Sequence, residues 1–402
     1  MAAVGKMIPD NQITLLRNGE DYFPVIEAAL DQAVREIYLE SYIFENDAIG
    51  QRIAKSLIRA ATRGVKTHVV IDGFGSKRFP KTMADGFESA GVMFLKFRPK
   101  TSPWTLRRRR LRRLHRKIVV VDRRIAFVGG INFIDEMDMT GHASPRYDYA
   151  VRVQGPLVKE IHDSCRRVWS RLTWARRRPG WRSHDSINIQ PTGHPGDMTA
   201  AFLVRDNFRH RRDIENAYLE AIKQAQSEII LANAYFLPGA KFRRALINAA
   251  GRGVRVVLLL QGRTDHPLLQ HASRALYGSF LDAGIEIYAY QKSQMHAKVA
   301  VIDGHWATVG SSNLDPFSLL LALEANVVVD DVSFANALRL SLEQAIRIGT
   351  RRIIRDKWIS QPLRLRLISW LSYSLVRFMI GIAGYAPGKP AAPPLSRSAK
   401  RT

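Results

Sequence analysis

His115-Arg116-Lys117-Ile118-Val119-Val120-Val121-Asp122 and His296-Ala297-Lys298-Val299-Ala300-Val301-Ile302-Asp303 are one pattern, His-x-Lys-x-x-x-x-Asp, occurring twice in the chain. Their surroundings repeat as well. Asn132 lies seventeen residues after His115, within Gly129-Gly130-Ile131-Asn132, and Asn313 lies seventeen after His296, within Gly310-Ser311-Ser312-Asn313. Composition alone would give one chance match to the three fixed positions in roughly forty such chains, so two aligned copies mark a duplication. The apolar run inside each copy reads as a strand, and side chains at i and i+2 of a strand share a face, so each histidine projects together with its lysine. The aspartate, five residues past the lysine, has the opposite parity. It falls at the turn, where it orients or ties down the strand end.

Working outward, Ile37-Tyr38-Leu39-Glu40-Ser41-Tyr42-Ile43-Phe44 and Ile229-Ile230-Leu231-Ala232-Asn233-Ala234-Tyr235-Phe236 read as buried strands running into loops. A helix follows each, closed by Arg63-Gly64-Val65-Lys66 or Arg252-Gly253-Val254-Arg255. Glycine after the last turn and then a β-branched run marks a return from helix to strand. A second helix ends at Ala90-Gly91-Val92 and at Ala283-Gly284-Ile285. Strands alternating with helices predict an α/β fold: two duplicated α/β/α sandwich halves with mainly parallel central sheets, related by a pseudo-twofold axis.

Composition bounds the chemistry. The chain has 402 residues with 61 Lys and Arg against 36 Asp and Glu, a net charge of +25, and 46% apolar residues. It can bury a core, which excludes disordered and collagen-like classes. The charge points to a polyanion, either nucleic acid or an acidic lipid surface. Cys165 is the only cysteine, so neither an internal disulfide nor a cysteine-based zinc site is available, and a reducing compartment is expected. The first thirty residues show no signal-peptide pattern.

Two imidazoles, two ammonium groups and two amides converging from related halves form a cationic pocket with acid and base capacity. That suits a phosphodiester. Lysine and amide donors hold the nonbridging oxygens, one neutral imidazole attacks phosphorus, and the other protonates the leaving oxygen. The duplicated motif resembles the signature of the phospholipase D superfamily, over roughly Thr14 to Ile346. The Tyr42-Ile43-Phe44 segment, the Asp72-Gly73-Phe74-Gly75-Ser76 loop, Asn233-Ala234-Tyr235-Phe236 and Gly310-Ser311-Ser312-Asn313-Leu314-Asp315-Pro316 look like those of bacterial cardiolipin synthases, most like the B type.

The resemblance implies metal-independent phosphatidyl transfer through a phosphohistidine, with the first motif's histidine as nucleophile and the second's as acid and base. It implies a catalytic set of His115, Lys117, Asp122, His296, Lys298 and Asp303, and a phosphate-binding and orienting set of Asn132, Asn313, Ser311, Glu324 and Asp148. An acidic residue downstream of each motif orients an active-site histidine: Glu324 in the second half, Asp148 as a weaker match in the first. Gly130 stands where the second half has Ser311, so the two edges are not equivalent. No cofactor and no metal are expected, and no other histidine is assigned to the site. The expected reaction moves a phosphatidyl group from one phospholipid, phosphatidylglycerol, to another, releasing glycerol. The alternative is a phospholipase D-like hydrolase or nuclease acting on nucleic-acid phosphodiesters.

The expected layout is a first repeat over 1–185 with an arginine-rich insertion at 98–114, a linker at 186–200, and a second repeat over 201–345. A basic-apolar membrane-associating segment follows at 346–385 and a disordered tail at 386–402. The run from Arg107 to Arg113 should stand at the pocket mouth and, with the C-terminal segment, meet an anionic membrane surface. Trp169, Trp174 and Trp181 fit either a helix core or a membrane interface. Arg377 interrupts the stretch Leu363 to Tyr385, which favours a helix lying in the interface over a single span or a helix docked on the protein core. The expected partners are phospholipids rather than nucleic acid, and the expected location is peripheral, on the cytoplasmic face of the cell membrane.

Overall fold

The computed structural model of the protein describes residues 5–98, 112–135, 145–176, 181, 195–206, 209–262, 266–315 and 322–382. The first half contributes strands β1 (Ile8–Arg17), β2 (Glu36–Ser41), β3 (Lys66–Asp72), β4 (Met93–Phe97), β5 (Arg113–Leu114), β6 (Lys117–Val121), β7 (Ile125–Gly129) and β8 (Tyr149–Gln154). The second contributes β9 (Met198–Arg205), β10 (Glu228–Asn233), β11 (Arg255–Gln261), β12 (Glu286–Tyr290), β13 (Lys298–Ile302), β14 (Trp306–Gly310), β15 (Ala322–Asp330) and β16 (Thr350–Ile353).

All except β5 lie on one path, β16-β12-β11-β10-β13-β14-β15-β9-β1-β8-β7-β6-β2-β3-β4. Outward from the β1–β9 junction the two halves follow the same order, strand for strand, until β16 adds one edge strand to the second half. That junction is antiparallel, which suits a twofold relation, and its register slips between Ile8 and Asn11. The expected separate sheets are therefore joined into one.

The expectation of mainly parallel sheets needs correction. Parallel pairing links β2 with β3, β3 with β4, β10 with β11 and β11 with β12, where helices make the crossovers. The motif strands β6 and β13 pair antiparallel with both neighbours. The reason is local: Asp122, Arg123 and Asp303 take positive φ of 52°, 57° and 50°, so each motif strand turns back at once into a hairpin. Such a short turn cannot make a parallel connection.

Helices Asn18–Asp31, Ala48–Thr62 and Lys81–Ser89 cover one face of the first half through a core that includes Phe23, Leu39, Ile53, Leu57 and Phe87. Helices Asp213–Gln224, Ala240–Gly251 and Tyr277–Asp282 cover the second half likewise. On the other face, helices Leu157–Ala175 and Val332–Gly349 pack into one core that draws on strands of both halves. The inner strands β2, β6, β10 and β13 are buried on both faces, which is why they read as apolar runs, whereas β1 and the edge strand β16 keep exposed positions.

Several expected boundaries move. β9 begins inside the expected linker, β5 lies inside the expected insertion and pairs with β15, and the 346–385 segment opens with the end of helix Val332–Gly349 and the edge strand β16. β5 is only two residues long and β16 only four, so pairing rather than local pattern shows where they belong. Residues 186–194 and the 386–402 tail lie outside the described residues.

Helix Leu363–Ile382 packs along helix Pro267–Arg274 and buries Val376 in the second half's core. Leu363, Leu367, Trp370, Leu371, Leu375 and Phe378 remain exposed. Among the described residues no helix is long and apolar enough to cross a membrane. Trp169 is fully buried and Trp181 stacks on it, whereas Trp174 is 72% exposed.

Candidate active site

The loops at the carboxyl ends of β2, β10 and β11 and the starts of β6 and β13 meet in one cavity of about 280 Å³. His115, His296, Asn132 and Asn313 line it together. Each histidine precedes its strand, and its backbone N–H is held by the other half: His115 N–H donates to Leu323 O at 3.0 Å, and His296 N–H donates to Tyr147 O at 2.8 Å.

The same crossing occurs one residue further on. His115 Nδ1 lies 3.0 Å from Glu324 Oε2, and His296 Nδ1 lies 2.6 Å from Asp148 Oδ2. Each half thus supplies the carboxylate for the other half's imidazole. With Nδ1 committed to a carboxylate, Nε2 is the nitrogen left for the cavity on each ring.

Lys117 and Lys298 are fully buried. Lys117 Nζ donates to His115 O at 2.7 Å and Lys298 Nζ donates to His296 O, so each ammonium stiffens the residue it follows. Burial brings Lys117 down to about 7 and Lys298 down to about 8, with Glu324 and Asp148 pulling in the opposite sense. Burial pushes Asp148 up to about 6, against the pull of Lys298, Lys117 and Arg146. His115 is held below its ordinary value by burial, opposed by Glu324. His296 is held well below it by burial and by Lys298, Arg146, Lys117 and His115. Burial is the main cause of all four depressions, and an anion entering the cavity would offset it by favouring the charged forms.

A family model described as "Cardiolipin synthase, PLD-like domain" matches residues 26–169 and 218–346, one stretch in each half. The chain belongs to that cardiolipin synthase family. It is 40% identical over 378 residues to cardiolipin synthase B of Salmonella typhi, covering 94% of this chain and 90% of that protein. It is 38% identical over 377 residues to cardiolipin synthase B of Escherichia coli strain K12, with the same coverage of 94% and 90%. Among solved structures, the phosphatidylserine synthase of Haemophilus influenzae Rd KW20 shares the fold, with a TM-score of 0.68, 13% identity and coverage of 92% of this chain and 94% of that one.

Within this cardiolipin synthase-family chain, Asp122 and Asp303 stand outside the cavity. The Asp122 carboxylate accepts from the backbone N–H groups of Val34, Arg35 and Glu36 at 2.8–2.9 Å. Asp303 accepts from those of Gln226, Ser227 and Glu228 at 2.8–2.9 Å and from Ser227 Oγ. They anchor the far ends of the motif strands, seven residues and so about 23 Å of extended chain from the histidines at ~3.3 Å per residue, so their inclusion in the catalytic set is corrected. Parity also sends Arg116 to the opposite face, where it pairs with Glu40 at 2.7 Å.

The Gly130 and Ser311 difference has a packing cause. Ser311 Oγ donates to Glu324 Oε2 at 2.5 Å and accepts from Ala325 N–H. It is therefore an orienting group behind the carboxylate. A Cβ at Gly130 would run into the Asp148 carboxylate oxygens, so the first half needs glycine there. Asn132 Oδ1 accepts from Ile43 N–H at 3.2 Å, tying the loop after β2 to the cavity rim.

The cavity also contains residues that sequence reading did not assign to the site. Tyr42 meets the His115 ring edge-on with centroids 4.8 Å apart, and Lys117 Nζ sits 5.3 Å from the Tyr42 ring. Arg146 is buried on the wall with Nη2 3.0 Å from Gln294 Oε1. His266 lines the cavity beside Tyr235, which corrects the expectation that no further histidine belongs there. The available signal was position: His266 lies five residues after the end of β11, and sites gather at the carboxyl ends of parallel strands. The 107–111 part of the basic run lies outside the described residues, while Arg113 stacks on Phe74 at 4.9 Å.

Proposed function

We propose that the chain is a phosphatidyltransferase that joins two phosphatidylglycerol molecules into cardiolipin and releases glycerol. The phospholipid chemistry is supported by the family and by relatives named cardiolipin synthase B. The observation that carries the mechanism is the single cavity holding both imidazoles, each oriented by the opposite half's carboxylate.

In the first step His115 Nε2 forms a bond to phosphorus and the bond from phosphorus to the glycerol oxygen breaks. His296, protonated, gives its proton to that oxygen. The bound phosphodiester supplies negative charge that offsets burial, and it raises His296 and both lysines toward their charged forms. Lys117, Lys298, Asn132 and Asn313 are the donors for the nonbridging oxygens. In the second step His296 takes the proton of the acceptor hydroxyl, its oxygen bonds phosphorus, and the N–P bond breaks. Asp148 and Glu324 keep the rings in register throughout.

Membrane contact is assigned to helix Leu363–Ile382, whose exposed leucines and aromatics stand beside Arg364, Arg366 and Arg377, and to the basic run before β6. The proposed location is peripheral, on the cytoplasmic face. Purified protein incubated with isotope-labelled phosphatidylglycerol and phosphatidylethanolamine tests the reading by product mass. Labelled cardiolipin and free glycerol are expected. Phosphatidic acid alone would make it a hydrolase, and cleavage of an oligonucleotide without lipid turnover would move it to nucleic acids.

A further inference from the structure

The duplication leaves a second pair of cavities, each built on one half's long helix and completed by residues of the other half. In the first half Val168, Arg171, Leu172 and Ala175 form an i, i+3, i+4, i+7 stripe on helix Leu157–Ala175 facing a cavity of about 430 Å³. In the second half Ser341, Gln344, Ala345 and Ile348 form the same stripe on helix Val332–Gly349, facing a cavity of about 330 Å³. The remaining walls correspond as well. Leu323, just before Glu324, answers to Tyr147, just before Asp148; Phe97 at the end of β4 answers to Tyr290 at the end of β12.

The contents differ. In the second half the space is polar: Tyr147 Oη bonds Tyr149 Oη and Ser341, and its ring stacks on Tyr290 with centroids 5.2 Å apart. In the first half the floor is Phe97, Val168, Leu172 and Leu323, and the rim carries Arg98, Arg112, Arg171 and Arg176, with Asp206 the one carboxylate among the described lining residues. Arg98 is held with a φ of 47°, a region that side chains other than glycine seldom enter. Its guanidinium lies 5.2 Å from the Phe97 ring, and its buried Nη1 has no hydrogen-bond partner among the described residues. Trp174, exposed to solvent, stands on the same helical turn as the rim.

We propose that this first-half cavity binds one acyl chain of a phospholipid, with the phosphodiester of the same molecule on the arginine rim. An apolar floor bordered by four arginines, of which Arg176 also donates to Lys96 O, matches an anionic amphiphile, and the volume is that of a small-ligand pocket, roughly 300–1,000 Å³. Arg112 lies three residues before His115 and Leu323 holds the His115 N–H, so the bound lipid lies against the wall that carries the nucleophile. Choosing a phospholipid rests on the phosphatidyl-transfer reading; the cavity itself does not. Trp174 serves as the interfacial anchor that brings the rim to the bilayer.

The test uses the full-length protein with vesicles containing phosphatidylglycerol that carries a photoreactive diazirine in its acyl chain. Transfer is assayed on the same samples and labelled peptides are mapped by mass. Label is expected on the peptide containing Phe97 and Arg98 and on the peptide spanning 168–176. Ala175→Trp, at an exposed helix position that tolerates bulk, should lower it at least fivefold, and Leu172→Trp should do the same from the floor. Chainless glycerophosphoglycerol, which shares the headgroup phosphate, should not compete at equal concentration. Label confined to other segments, label unaffected by both variants, or equal competition by the chainless headgroup would each overturn the proposal. Transfer without label at these peptides sinks the cavity alone, and label without transfer sinks the transferase reading alone.

Discussion

At the residue scale the account turns on which carboxylate serves which imidazole. Glu324 and Asp148 were legible as candidates, because each sits in or beside the strand that follows its motif's hairpin. Their crossing was not legible, since sequence order says nothing about which half a side chain enters when two halves abut. Double-mutant cycles on the transfer rate should therefore show strong coupling for His115 with Glu324 and for His296 with Asp148, across the halves, and weak coupling for the pairs within a half. Glu324→Gln should lower kcat by about 10²- to 10⁴-fold with folding intact, as expected when an orienting carboxylate is lost.

The pH profile follows from the same residues. Below the ordinary histidine value of 6.5, His115 gains its proton and stops attacking, and because its own value is depressed that loss begins late. Lys117 at about 7 and Lys298 at about 8 lose their charge as pH rises, so kcat/KM, which reports the free enzyme, should fall from about pH 7 upward. Bound phosphodiester keeps the lysines charged, so the alkaline limb of kcat should lie at least a unit higher. Coincident alkaline limbs would contradict this.

At the element scale the motif strand is a rigid bar with chemistry at one end and an anchor at the other. Parity and spacing in the sequence already separated the aspartate from the histidine and lysine, and the three backbone N–H groups that it receives explain why each copy has one. Asp122→Ala should cost stability, about 1–3 kcal/mol for the buried Glu36 N–H left unpaired and less for the part-buried N–H groups of Val34 and Arg35, while kcat per folded molecule stays within a few-fold of the parent. Denaturant unfolding alongside titrated active sites checks both. The hairpins that make the sheet mixed were implicit in the short return from Asp122 to Ile125; alternation of strand and helix, read alone, overstated the parallel part.

The C-terminal helix has a similar history. Its charge interruptions argued correctly against a span, but docking through Val376 depends on the surface of helix Pro267–Arg274, which no local pattern displays. Replacing Trp370 and Phe378 together by serine should weaken pelleting with anionic vesicles at least tenfold, given about 1.5–3 kcal/mol for burying each apolar side chain.

At the scale of the whole molecule, duplication builds one site from two copies by placing β1 and β9 side by side, and under the proposed function the net charge of +25 serves attraction to acidic lipid. Vesicle binding should weaken as ionic strength rises, because the attraction of exposed cations is screened beyond about 8–10 Å at physiological salt. The duplication was plain from the repeated motifs. The second pair of cavities became visible only when the folded halves could be laid over one another. The claim on which the rest depends is that two imidazoles share one phosphorus and that His115 carries the phosphatidyl group between steps. The most direct measurement is acid-free quenching of a single turnover with phosphatidylglycerol, followed by peptide mass mapping of wild type, His115→Ala and His296→Ala. A phosphatidyl adduct on His115 in the wild type, none in His115→Ala, and transfer lowered at least 10³-fold in both variants is the result expected. An adduct on His296 instead, no adduct on either ring, or substantial turnover by either variant would contradict it.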